Sequence, residues 1–237
     1  MLSSISALFP FMKKTPSTYT LPDGFTVTAH TGCEGMPDNS LDSIKAGAAA
    51  GADIVEIDLH FRPDGTPVLK HDKPSAAEAD KLPSLDSAFE LLASMDIRMN
   101  VDVKATANLS AVAMLAEKHG VTDRIFFTGV NENFVDAAKN DAGCIPYYLN
   151  VNVKKSKNTD PAYLNSLVEK VRSCGAVGIN MNYKACSTEL VSTFRKEGLP
   201  VSLWTANSKR TMHKCLCFAP DNITTRKPSE LISIIDR

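Results

Sequence analysis

Carboxylate side chains recur at short spacing in the first half of this 237-residue chain. Glu56 and Asp58 are two residues apart in an apolar, β-branched run, so both side chains point to one face of a strand. Asp102 stands in a second run of this kind. Three carboxylates in one partly desolvated site repel one another unless a cation neutralises them. Oxygen ligands without cysteine indicate one hard divalent cation, Mg²⁺ or Ca²⁺. The alternative is that the Glu-x-Asp pair lies at the surface and forms salt bridges.

Two histidines, His30 and His71, occur at the ends of strand-like runs in the same part of the chain. Free imidazole has a pKa of ~6.5, so one ring can accept a proton while another donates one near neutral pH. A lone histidine is more often structural, but two of them flanking a carboxylate cluster favour catalysis. We therefore predict that His30 and His71 are an acid–base pair.

Eight β-rich runs bounded by turn residues recur along the chain, and helical patterns separate most of them. This alternation indicates a parallel sheet, and eight units indicate a single (β/α)8 TIM barrel, in which reacting groups lie at the carboxyl ends of strands. The predicted strands are Phe25–Thr31, Asp53–Leu59, Met99–Lys104, Ile125–Thr128, Ile145–Asn150, Val177–Met181, Val201–Thr205 and Ile223–Thr225. The predicted helices are Leu41–Ala50, Leu85–Ser94, Ser110–Lys118, Asn133–Lys139, Ala162–Cys174, Ser187–Lys196 and Lys209–Cys217.

A ninth strand-like run, Pro67–Lys70, follows the second strand too closely for a crossover helix, so it must pair antiparallel as a hairpin. The Asp64-Gly65 dipeptide between the two runs predicts a two-residue turn. Counting outward from that turn places Asp58 opposite His71, with Cβ atoms ~4.5–5.5 Å apart. A one-residue bulge would instead turn His71 to the other face.

The composition favours one large domain, since 43% of the residues are hydrophobic and α/β barrels of this length commonly form one domain. We assign residues 1–24 to an N-terminal lead-in segment and 25–237 to the barrel. The net charge of −1 gives no overall field that would favour nucleic acid or an anionic membrane as a partner. We expect a small-molecule ligand, and any anionic substrate must be bound by local charges.

The six cysteines lack the spacing of a zinc site or a dithiol redox motif, and we expect reduced thiols in a cytoplasmic protein. The N-terminal run MLSSISALFPFMKK lacks the leading positive charge and the cleavage site of a secretory signal. No apolar run reaches the ~18 residues of a membrane span, so stable membrane insertion is not expected. The sequence leaves the oligomeric state open.

The order of these motifs resembles the glycerophosphodiester phosphodiesterase family. The family pattern is His-Arg-Gly, Glu-Asn-Thr, Glu-x-Asp and Asp-Gly-x-x-Val-x-x-His-Asp, and the matching run here is AHTGCEGMPDNSLDSIKAGAAAGADIVEIDLHFRPDGTPVLKHD. Further segments that resemble the family are LPSLDSAFELL, MNVDVK, VSLWTANSKRTMHK and DNITTRKPSELI. The resemblance covers nearly the whole chain from Thr26 onward.

The resemblance implies catalysis by His30 and His71, and metal binding by Glu56 and Asp58. Asp102 falls where the family usually has a third glutamate ligand.

Further residues are implicated in binding the substrate. The resemblance implies that Lys104 contacts phosphate, although a salt bridge to a neighbouring acid is the alternative. Trp204 is expected to form a wall of the substrate pocket, or else to belong to the core. Asn39 either orients a substrate or loop group or caps a helix.

Four departures from the family pattern affect substrate choice. Thr31 stands where the family has an arginine that grips phosphate, so a bidentate contact is lost. Asp38 replaces the family glutamate, and Ser40 replaces its threonine. The stretch between Asp72 and Leu82 is short, which implies a reduced lid over the substrate.

The expected function is metal-dependent hydrolysis of a glycerophosphodiester to glycerol phosphate and an alcohol. A lipid phosphodiesterase resembling the sphingomyelinase D branch is one alternative, although a secretion signal and paired cysteines would be expected for it. A barrel that binds metal and a phosphorylated ligand without turnover is another, motivated by the missing arginine at Thr31.

Overall fold

The computed structural model describes residues 19–235. Most of the predicted lead-in, residues 1–18, therefore lies outside the described part of the chain. Within that part, none of the helices is both long enough and apolar enough to cross a lipid bilayer.

Eight parallel strands form the barrel, in the order β5-β4-β2-β1-β9-β8-β7-β6. The ring closes between β5 and β6, where Phe127 and Tyr147 form a parallel bridge and Asn150 N donates to Val130 O at 2.8 Å. The strands are β1 (Thr26–Ala29), β2 (Ile54–Phe61), β3 (Pro67–Leu69), β4 (Arg98–Val103), β5 (Ile125–Thr128), β6 (Tyr148–Asn150), β7 (Gly178–Asn182), β8 (Val201–Trp204) and β9 (Asn222–Thr225). β3 lies off the ring and pairs with β2.

The helices are α1 (Leu41–Ala49), α2 (Leu85–Ala93), α3 (Leu109–Lys118), α4 (Val135–Ala142), α5 (Pro161–Ser173), α6 (Thr188–Lys196), α7 (Lys209–Cys217) and α8 (Pro228–Ile234). The prediction of a (β/α)8 barrel is confirmed. The seven predicted helices correspond to α1–α7, whereas the seven-residue α8 was not predicted.

Serine side chains fix the start of several helices next to the carboxyl ends of the strands. Ser40 accepts a hydrogen bond from Ser43 N at the start of α1, and Ser84 accepts one from Ser87 N at the start of α2. These bonds satisfy backbone donors that the first helical turn leaves without a partner. Helix starts and strand ends thus meet at one face of the barrel, which we call the mouth.

The hairpin formed by β2 and β3 has a different register from the predicted one. Leu59 pairs with Leu69 and Phe61 with Pro67, so Asp58 lies opposite Lys70 and the predicted pairing of Asp58 with His71 is wrong. The two-residue turn is wrong as well. Arg62 N donates to Thr66 O and Gly65 N donates to Arg62 O, which makes a three-residue loop of Pro63, Asp64 and Gly65.

The physical reason is that proline fits the second position of a type I turn, and Gly65, at φ 84°, takes the left-handed position that follows it. The added loop residue shifts the pairing by one. His71 consequently lies beyond the end of β3, and its position depends on the 70–72 segment rather than on the sheet.

Close packing at Gly47 connects helix α1 to the strands that carry the site. A Cβ at Gly47 would lie 2.7 Å from Ala29 Cβ and 3.0 Å from Val55 Cγ1. Ala29 directly precedes His30, and Val55 directly precedes Glu56. The absent side chain therefore sets the distance between the helix and two site-bearing strands.

Replacing Gly47 with alanine tests this contact. Alanine is the better helix former by ~1 kcal/mol, but overpacking a filled core costs ~1–3 kcal/mol. We expect Gly47→Ala to lower the free energy of unfolding in urea, whereas Ala49→Gly on the exposed face of the same helix should cost at most ~1 kcal/mol. A Gly47→Ala variant more stable than the wild type would contradict the packing described here.

Candidate active site

A cavity of about 230 Å³ opens at the mouth of the barrel. Most of the residues predicted from the sequence line it, namely His30, Glu56, Asp58, His71, Asp102, Lys104 and Trp204. Asn39 lines an adjoining cavity that shares His30, Asp58 and His71 with the first. The strand ends thus bring together acidic, basic and imidazole groups that are far apart in the sequence.

The carboxylates of Glu56, Asp58 and Asp102 offer oxygen atoms that all lie within 4.8 Å of one another. Parallel pairing of β2 with β4 places Asp58 directly beside Asp102, and the two-residue spacing puts Glu56 on the same face. Glu56 and Asp58 are only 5% and 3% exposed. Oxygen ligands grouped this closely and sheltered from water fit a hard divalent cation.

Charge in the cluster is only partly balanced by the protein. Lys104 Nζ lies 3.0 Å from Asp58 Oδ1 and 2.5 Å from Asp102 Oδ2. Burial alone lowers the pKa of Lys104, but the charges of Asp102 and Asp58 outweigh it and raise that pKa. Burial, together with the charges of Asp58 and Asp102, raises the pKa of Glu56 well above its usual value. With all three acids ionised, the single ammonium of Lys104 leaves two negative charges, which is the charge that a divalent cation would neutralise.

Neighbouring groups hold two of the carboxylates in place. Asn39 donates from Nδ2 to Asp58 Oδ2 at 2.8 Å and accepts from Asp58 N at 2.9 Å through its Oδ1. Thr31 N donates to Glu56 Oε2 at 2.8 Å. The Thr31 side chain is 2% exposed and its hydroxyl accepts from Asn39 N, so Thr31 lies beneath the cavity. Asn39 is not the helix cap, because Ser40 caps α1.

The two histidines differ in their surroundings. His30 Nδ1 donates to Thr31 O at 2.8 Å and lies 3.8 Å from Glu56 Oε2. Burial lowers the pKa of His30, and the Arg226 charge also lowers it. The His71 side chain is 65% exposed, and its Nδ1 bonds to Asp72 Oδ1 at 2.8 Å. One imidazole is thus held rigidly in the barrel, while the other stands on an exposed segment above it.

Further residues that were not predicted line these cavities, among them Thr128 and Arg226. Thr128 Oγ1 lies 2.9 Å from Asp102 Oδ1, and strand pairing places these residues side by side. A register argument from the predicted strands would have found Thr128. Arg226 follows β9 and lines the adjoining cavity, beside His30, which follows the first strand. The sequence signal for Arg226 was a basic residue at the end of the last predicted strand. Arg226 lies next to His30 because the last strand pairs with the first.

The fold and the site define a class of protein, a TIM barrel with a cation-compatible carboxylate cluster and two imidazoles at its mouth. The model of the glycerophosphoryl diester phosphodiesterase family matches residues 30–86 and 88–230. The chain belongs to this family, whose enzymes are phosphoric diester hydrolases.

Individual relatives agree over most of their length. The glycerophosphodiester phosphodiesterase of Caldanaerobacter subterraneus subsp. tengcongensis is 21% identical, across 88% of this chain and 97% of the relative. A phosphodiesterase of Oleispira antarctica, solved in complex with the product sn-glycerol-3-phosphate, has a TM-score of 0.75 and 21% identity, covering 92% of this chain and 98% of its own. The glycerophosphodiester phosphodiesterase of Thermotoga maritima has a TM-score of 0.70 and 19% identity, covering 89% and 98%.

Asn39→Ala tests whether the amide positions Asp58. The change removes two hydrogen bonds to a buried residue, so we expect the free energy of unfolding to fall by ~1–3 kcal/mol in a urea titration. Asn140→Ala, on an exposed position of α4, is the matched control and should stay within ~0.5 kcal/mol of the wild type. Equal stability of the two variants would show that Asn39 does not support the carboxylate.

Proposed function

We propose that this chain hydrolyses a glycerophosphodiester to glycerol phosphate and an alcohol, with one divalent cation, Mg²⁺ or Ca²⁺, held by Glu56, Asp58 and Asp102. The observation that carries the proposal is the convergence of these three carboxylates with two imidazoles in one cavity. Membership of the family supports the reaction class. The product bound to the Oleispira antarctica relative supports glycerol phosphate as the part of the substrate that this site holds.

A cation bound at these carboxylates would act as a Lewis acid that stabilises charge on a phosphate oxygen. Lys104 lies between Asp58 and Asp102, so its ammonium would add positive charge where negative charge develops in the transition state. Trp204 lines the cavity and gives the alcohol portion an apolar wall. Thr31 acts indirectly, through the backbone N–H that orients Glu56.

Hydrogen bonding supports a division of labour between the histidines. The partner of His30 Nδ1 is a carbonyl, which only accepts, so Nδ1 carries the proton and Nε2 is left as a base. His30 Nε2 takes the proton of the attacking hydroxyl. His71, oriented by Asp72, gives a proton to the departing alcohol oxygen. We propose that the first attacking group is the neighbouring hydroxyl of the substrate, as the family resemblance implies, and that water then opens the cyclic phosphate.

Substituting each histidine tests these roles. General acid–base catalysis contributes about 10²–10⁴-fold, so His30→Ala and His71→Ala should each lower kcat by that factor in a glycerophosphocholine assay. His119→Gln is the matched control, because His119 bonds to Asp86 away from the mouth cavities. Wild-type turnover in either alanine variant would exclude the two-histidine mechanism.

Removing the cation tests the metal assignment. Dialysis against EDTA should abolish turnover, and adding Mg²⁺ or Ca²⁺ should restore it, because the excess negative charge at the cluster would otherwise repel a phosphodiester. Asp102→Asn should need a higher cation concentration for half-maximal activity, whereas Glu90→Gln, on an exposed position of α2, should not. Full activity after EDTA treatment would contradict a metal-dependent reaction.

A further inference from the structure

Arg226 lies at the mouth because β9, the last strand of the barrel, pairs with β1, the first. Ala29 of β1 pairs with Thr225 of β9, and His30 N donates to Thr225 O at 2.8 Å, which extends the ladder by one residue. His30 and Arg226 therefore stand side by side. Both line the adjoining cavity with Asp58 and His71.

The Arg226 guanidinium is held in place by an acid and by a glycine. Its Nη1 donates to Asp38 Oδ1 at 2.5 Å. A Cβ at Gly32 would lie only 2.5 Å from Nη1 and would collide with the Asp38 carboxylate, so a side chain at this position would displace the pair from its observed geometry. The Arg226 side chain remains 38% exposed. Because a guanidinium has five N–H donors in a planar fork, the bond to Asp38 leaves donors for another anion.

Other cations at the mouth are engaged with acidic groups. Lys104 lies between two carboxylates of the cluster, and Lys70 Nζ lies 3.3 Å from Glu78 Oε2. Thr31, the residue next to His30, is buried and carries no charge. Among the residues of the 19–235 range that line these two cavities, Arg226 is the one guanidinium.

We propose that Arg226 binds the non-bridging oxygens of the phosphate group and is a determinant of affinity for phosphodiester and phosphomonoester ligands. This inference rests on the proposed function. The guanidinium fork matches two phosphate oxygens, and Asp38 sets its orientation before the ligand arrives. The last strand thus supplies a phosphate contact that the first strand, with Thr31, lacks.

The test measures ligand affinity and turnover separately, on the full chain with its activating cation. Affinity is measured by calorimetric titration with sn-glycerol 3-phosphate. Turnover is measured with glycerophosphocholine as the substrate. Loss of a charge-assisted contact should raise the Kd of glycerol phosphate and the KM of the substrate about 10- to 100-fold in Arg226→Ala, with a smaller change in kcat. The Kd and KM of Arg226→Lys should lie between those of the wild type and those of Arg226→Ala, because lysine keeps the positive charge but lacks the planar fork of donors.

Two further variants separate ligand binding from a structural role. Asp38→Asn removes the ion pair and the orientation that it gives but leaves the guanidinium, so the Kd of glycerol phosphate should rise less than in Arg226→Ala. Arg195→Ala is the matched control. It removes an arginine at the end of α6 whose guanidinium donates to Ala219 O, remote from the mouth, and it should leave the Kd unchanged. Circular dichroism melting of each variant confirms that it is folded.

Each outcome bears on a different claim. If Asp38→Asn weakens binding as much as Arg226→Ala, or if Arg226→Ala binds with the wild-type Kd, the inference is overturned. In the second case, an active wild type would leave the proposed function standing. If the wild type shows no turnover but Arg226→Ala still loses affinity, the proposed function fails and the phosphate contact stands. A wild type that neither binds glycerol phosphate nor hydrolyses the substrate overturns both.

Discussion

Repulsion among three carboxylates at the end of the barrel is the constraint on which the rest of the site depends. Glu56, Asp58 and Asp102 are placed together by strand pairing, two of them almost out of contact with water. Burying charge is costly unless it is paired and hydrogen-bonded. Lys104, Asn39 and the backbone of Thr31 each offset part of this cost. The remaining negative charge makes the site receptive to a divalent cation.

The same constraint explains why positive charge is distributed around the mouth. A phosphodiester is an anion, and a bare acidic cluster would repel it. Lys104 neutralises part of the negative charge of the cluster. Arg226, which follows β9, adds a positive charge next to His30. The overall charge of the chain is close to zero, so substrate capture depends on these local groups. In the proposed reaction, the cation and the phosphate would therefore be bound by adjacent but separate side chains.

The alternation of eight strand-like runs with helical patterns predicted the barrel. Residue spacing predicted the carboxylate cluster, because it determines which face of a strand a side chain occupies. Loop geometry was harder. Asp64-Gly65 is compatible with a two-residue or a three-residue loop, and Pro63 decided between them, which shifted the position of His71. Asn39 was predicted with two alternative roles and Arg226 was not predicted, because the contacts of both residues depend on how distant segments meet. Asn39, just before α1, bonds to Asp58 in β2. The position of Arg226 next to His30 depends on the pairing of the first strand with the last.

The most direct measurement of the central claim is the stoichiometry of divalent-cation binding. It is measured by calorimetric titration of Mn²⁺ into protein stripped of metal. If the three carboxylates form one site, the wild type binds one cation per chain, and Glu56→Gln weakens that binding at least about 10-fold, because a neutral amide replaces a charged ligand. Failure of the wild type to bind a cation, or equal binding by the wild type and Glu56→Gln, would contradict the account.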